Sequence, residues 1–112
     1  MIVDEVEQEI EKLKESKGID TVIICGIETH VCILATVIDL IARGLYVDVI
    51  ADGVSSRTED DRKMALERIR SMGAFVTTTE SAILAMVGDA AHPKFKAVQR
   101  VIKDLTPSTN LF

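Results

Sequence analysis

Apolar residues recur along this chain at two different spacings. Val3, Val6, Ile10 and Leu13 fall at helical intervals, with Glu and Lys filling the other faces, and predict an amphipathic first helix. Asp4 stands near its start, and Gly18 closes it as a C′ glycine. A continuous β-branched run follows, Thr21-Val22-Ile23-Ile24-Cys25, ended by Gly26. Such a run predicts a strand buried on both faces, as in a parallel sheet, with Cys25 in the core.

Residues 31–43 return to helical spacing but are apolar nearly all round, so this helix should be covered on both sides; Gly44 stops it. Residues 46–50 predict the second strand, ending at Asp52-Gly53. Ser56-Arg57-Thr58-Glu59 has the form of a capping box with Ser56 as cap, opening a helix through Met72. A third strand is predicted over 74–78 and a short helix over 80–87. A last helix starts near Pro93 and runs through Lys103. Met64, Met72 and Met86 read as core or gap-filling residues. Residues 106–112, with Pro107-Ser108-Thr109-Asn110, read as a frayed tail.

The order α-β-α-β-α-β-α-α implies right-handed βαβ units, a parallel sheet and a Rossmann-like three-layer α/β/α architecture. Sheets average about 5–6 strands, and a parallel sheet needs cover on both faces. Three strands therefore predict a partial domain over residues 1–112, with no internal repeat and no second domain.

Composition sharpens this picture. Hydrophobic residues make up 47% of the chain, and mean hydropathy is +0.23. That is rich for a small monomer, so some surface is expected to face another chain or a missing piece of the same chain, as a homo-oligomer or in association with another subunit. Net charge is −5, basic residues are scattered, and aromatic residues are only 4%. Neither a phosphate-tracking groove nor a base-stacking platform is implied, so no nucleic-acid partner is expected. No apolar run approaches the roughly 20 residues of a membrane span, and the acidic N-terminal segment is unlike a targeting peptide. Two cysteines make no disulfide framework and no zinc spacing, and fit a reduced, cytoplasmic setting.

Candidate chemistry concentrates in Gly26-Ile27-Glu28-Thr29-His30-Val31-Cys32. Ligand sites in parallel sheets lie beyond the carboxyl ends of strands, where this segment falls. Cys32 belongs to the first turn of the next helix, whose free N–H groups and dipole favour a thiolate and could hold an oxyanion. A small structural cysteine is the competing reading. His30, two residues before Cys32, does not face it on a helix, and solvent contact or turn packing suits it better than a Cys–His pair. Asp52, Ser55, Ser56 and Arg57 follow the second strand at the same edge; turn and cap roles compete there with contact to a substrate carboxylate by Arg57.

The cysteine segment, continued by Thr36, Asp39-Leu40 and Arg43-Gly44, resembles the cysteine motif of the isochorismatase-like hydrolases. The resemblance extends through Ala51-Asp52-Gly53-Val54-Ser55-Ser56-Arg57, Asp61-Arg62, Ala65-Leu66-Glu67-Arg68 and Gly73-Ala74-Phe75. It ends with Thr78-Thr79-Glu80 and the stretch from Gly88-Asp89 to Phe95-Lys96. It implies that Cys32 is the nucleophile and that the Ile27–Glu28 bond occupies the position of a non-proline cis peptide. The N–H groups of Glu28 and Cys32 would then form an oxyanion hole. Within that family an Asp and a Lys complete the triad upstream of the stretch matching Met1-Ile2-Val3. No Asp or Lys here takes those roles, and no metal or other cofactor is implied.

Two functional expectations follow. One is the C-terminal portion of a cysteine hydrolase that, once completed, acts on an amide or related small-molecule substrate. The other is a catalytically inactive paralogue or truncated form that works through protein association. The family name does not fix the substrate.

Overall fold

The β-branched runs do pair in parallel. The computed structural model describes residues 1–105, and the predicted tail at 106–112 lies outside them. Helix α1 spans Asp4–Lys17 and strand β1 Thr21–Ile27; a π-helical turn, Thr29–Ile33, runs into α2, Leu34–Ala42. Strand β2 is Tyr46–Ser55, α3 Glu59–Ser71, β3 Phe75–Thr77, α4 Thr79–Val87 and α5 Phe95–Leu105. Within the described residues the sheet order is β1-β2-β3, all parallel, with Thr21 opposite Tyr46 and Asp48 opposite Phe75.

Strand position decides which run is buried. Central β2 carries Val47, Val49, Ile50 and Ala51 buried on both faces. β1 pairs only on its β2 side among the described residues, and its burial alternates strictly: Val22 and Ile24 turn inward, Ile23, Cys25 and Ile27 outward. The expectation of two-sided burial therefore fails for β1 and holds for β2. Cys25 is correspondingly exposed rather than in the core.

The main core lies on one face of the sheet, where Val37 and Leu40 of α2 and Leu66 and Ile69 of α3 meet Val47 and Val49. Each side chain of this size contributes about 1.5–3 kcal/mol by leaving water. The uniformly apolar look of residues 31–43 overstates the cover, since Val31 and Ile38 stay exposed while Ile33, Val37 and Leu40 are buried. Helix α1 has no buried residue. Its Ile10, and Ile2 just before it, pack against the buried core cluster, and Arg43, just after α2, donates from Nε and Nη2 to Glu7 Oε1 at 3.2 and 3.0 Å. The Met1 ammonium at 2.8 Å and the Ile2 N–H at 3.2 Å from Asp39 Oδ2 hold that carboxyl below the usual carboxylate range.

The opposite face carries α4, against which α5 packs. Ile23, Cys25 and Ile50 of the sheet and Ala82, Ile83 and Met86 of α4 line an apolar cleft of about 270 Å³ there. Met64 and Met86 are 59% and 66% exposed, so neither fills a core gap; Met72 does pack on the core. Helix α5 begins at Phe95 rather than at Pro93, which sits in the preceding turn.

Candidate active site

Strand β1 delivers its carboxyl end beside that of β2, where the last paired residues are Ile27 and Ser55. The approach is irregular, because register shifts between Ile24, opposite Val49, and Gly26, opposite Val54. Gly26 adopts φ 129°, a backbone state that side-chain-bearing residues rarely reach. Gly53, in the bulged stretch of β2, lies so close to its neighbours that an added Cβ would stand 3.2 Å from Cys25 Cβ.

Beyond β1 the Ile27–Glu28 peptide is cis. The Glu28 carbonyl accepts from the N–H groups of Val31 and Ile33, both at 3.1 Å, which opens the π-helical turn. Single π turns are frequent at functional sites. Cys32 lies in this turn with an exposed thiol, and its carbonyl accepts from Thr36 Oγ1 at 2.7 Å. Thr29 is fully buried, and its Oγ1 has no hydrogen-bond partner among the described residues.

His30 is held on both sides. Its Nδ1 lies 2.9 Å from Ser56 Oγ, and its Nε2 lies 3.5 Å from Glu28 Oε2. With the ring proton on Nε2 facing the carboxylate, Nδ1 accepts from the Ser56 hydroxyl. Turn packing, rather than pairing with Cys32, is thus its observed environment. Ser56 is not the cap of α3; that cap is Thr58, whose Oγ1 accepts from the Asp61 N–H at 3.1 Å.

Of the residues the sequence singles out, Ile27, Glu28 and Cys32 lie together at the end of β1, with Ser55 and Ser56 alongside. Asp52 is engaged elsewhere, by Thr79 at the start of α4, and Arg57 is exposed. Arg62 was missed. Its guanidinium donates from Nε to the Val54 carbonyl at 3.1 Å and from Nη2 to the Ala51 carbonyl, so α3 supports the bulge behind the site. The signal was present: Arg62 stands on the helical stripe of Ala65, Leu66 and Ile69, where a core-facing apolar residue is expected. Among the described residues, no cluster of three or more His, Cys, Asp or Glu is placed to hold a metal. No described helix is long and apolar enough to cross a membrane.

Comparison with known proteins finds similarity in both sequence and fold. The family model described as "Isochorismatase domain" matches residues 5–81. Isochorismatase domain-containing protein 2 of Xenopus laevis is 45% identical over 111 residues, which cover 99% of this chain and 53% of that protein. A solved structure described as MAR1 ribonuclease from Caenorhabditis elegans superposes with a TM-score of 0.88 at 43% identity, covering all of this chain and 55% of that one. An isochorismatase-like hydrolase from Alkaliphilus metalliredigens does so at 0.63 and 31%, over 70% of this chain and 42% of that one. The chain spans about half the length of the curated Xenopus relative.

Proposed function

Because this chain belongs to the isochorismatase domain family, we propose that it carries the cysteine nucleophile and oxyanion donors of a hydrolase acting on an amide or related small-molecule carbonyl. The observation that carries the reading is the exposed Cys32 thiol, in the first turn after the cis Ile27–Glu28 peptide, beyond the carboxyl end of β1. In this reading the Cys32 sulfur attacks the carbonyl carbon. The N–H groups of Glu28 and Cys32 stabilise the oxyanion; its collapse breaks the C–N bond, the amine leaves carrying a proton, and water then hydrolyses the thioester to the acid and restores the thiol. By the resemblance, an acid/base Asp and a Lys that holds the thiolate complete the triad, and no Asp or Lys among residues 1–112 is assigned those roles. The two free cysteines suit a reducing, cytoplasmic setting.

The test is steady-state hydrolysis of nicotinamide and other simple amides by the 112-residue chain and its Cys32→Ala variant, with site-resolved mass spectrometry of any acyl adduct. The reading expects a Cys32 adduct with little sustained turnover, because general acid–base groups contribute about 10²–10⁴-fold and act as a unit with the nucleophile. Sustained turnover that persists in Cys32→Ala would overturn it. Since the C. elegans relative is described as a ribonuclease, the same pair of proteins should be assayed on RNA; Cys32-dependent RNA cleavage would replace the small-molecule substrate.

A second reading, association with another subunit or a second copy without turnover, draws on the outward-facing apolar residues Ile23, Tyr46 and Phe75.

A further inference from the structure

Backbone pairing between β1 and β2 ends at Ile27 and Ser55. The residues that follow on each strand, Glu28 and Ser56, are connected instead through one imidazole. His30 Nδ1 lies 2.9 Å from Ser56 Oγ, and its Nε2 lies 3.5 Å from Glu28 Oε2. The Ser56 hydroxyl is available for this contact because Thr58 caps α3 in its place. A half-buried ring in contact through both nitrogens has little freedom to turn, and in sequence His30 lies midway between Glu28 and Cys32, whose N–H groups the proposed chemistry uses.

We propose that His30 is a positioning residue for acyl transfer to Cys32, tying the wide Glu28–Cys32 turn to the end of β2 so that both N–H groups stay aimed at one oxyanion. This rests on the reading of Cys32 as the nucleophile, and it assigns a role to a side chain which that reading leaves unused. In acylation by p-nitrophenyl acetate, the thiol gives its proton to the buffer, a sulfur lone pair forms the S–C bond, the carbonyl π pair moves to oxygen, and its return breaks the C–O bond and expels p-nitrophenolate. The oxyanion exists only along this path. With iodoacetamide the same sulfur displaces iodide in one step at an sp³ carbon, and the oxyanion donors have nothing to stabilise. A group that positions those donors therefore affects the first reaction and spares the second.

The experiment measures both rates at Cys32, resolved by peptide mass spectrometry, in the full chain carrying no change, His30→Ala, Ser56→Ala, both together, or His30→Gln. Misplacement of an oriented group by about 1 Å can cost up to 10²-fold, so acylation should fall about tenfold in each single variant. The double variant should be no slower than the worse single one, because both act through one tie. His30→Gln, able to accept and donate, should recover part of the rate. Alkylation by iodoacetamide should stay within about twofold throughout, since no oxyanion forms in that step. Acylation unchanged by His30→Ala, or acylation and alkylation falling together in every variant, overturns the positioning role, as does an acetyl group on Ser56. Wild-type chain that acylates Cys32 no faster than Cys25 overturns the nucleophile reading and this proposal with it.

Discussion

The Asp52 carboxylate closes on Thr79: its Oδ1 accepts from the Thr79 N–H at 2.8 Å and from the Thr79 hydroxyl at 2.9 Å. A residue near the carboxyl end of β2 is thereby committed to holding the start of α4, whose N-cap Thr78 also accepts from the Ser81 N–H. Asp52→Ala should destabilise the chain by about 1 kcal/mol, the usual cost of losing a helix-start acceptor, read as a lower urea midpoint. An unchanged midpoint would mean that α4 is held by packing alone.

Gly53 is required by space. A Cβ there would meet Ile50 Cγ2 at 2.9 Å and Cys25 Cβ at 3.2 Å. Gly53→Ala should cost about 1–3 kcal/mol through overpacking. A stability equal to wild type would show that β2 can shift to make room.

Arg62 supplies hydrogen bonds to the carbonyls of Ala51 and Val54 in the bulged part of β2. Arg62→Met keeps an apolar stem but removes both hydrogen bonds, and should cost about 1–3 kcal/mol. Exposed Arg68, on the same helix, serves as the control, with Arg68→Met expected within about 0.5 kcal/mol of wild type. Equal effects at the two positions would contradict the assigned support role.

Much of the fold is legible in the sequence because its determinants are local. Apolar spacing and terminal glycines give the element order, and Gly18 does close α1, at φ 64°. The misreadings share a different cause. A β-branched run such as residues 21–25 looks alike in a central and an edge strand; only the neighbours decide, and they left Cys25 exposed. Ser56 and Thr58 each begin a local capping pattern, and the choice fell to Thr58 while Ser56 contacts His30, 26 residues away in sequence. The candidate site was legible as a contiguous motif, Ile27 to Cys32. Its supports, Arg62 and the His30–Ser56 contact, come from elsewhere in the chain.

Exposed apolar surface sets the solution behaviour. Ile23 and Phe75 lie on the same sheet face, flanking Asp48, and are 44% and 60% exposed. The chain should self-associate or bind a hydrophobic dye such as ANS, and Ile23→Lys with Phe75→Lys should reduce both in sedimentation and fluorescence measurements. A monomeric wild type with sharp cooperative unfolding and no dye binding would show that this face needs no cover.

The nucleophile claim has an internal control, since Cys25 and Cys32 are both exposed but lie on the open sheet face and in the π-helical turn respectively. The most direct measurement is alkylation of the native chain by limiting iodoacetamide, quenched over time and resolved by peptide mass spectrometry. A thiol in the first turn of a helix is expected to react faster than one on an apolar strand, so Cys32 should be labelled first, and denaturation in urea should bring the two rates together. Equal native rates, or faster labelling of Cys25, would contradict a preformed nucleophile at Cys32.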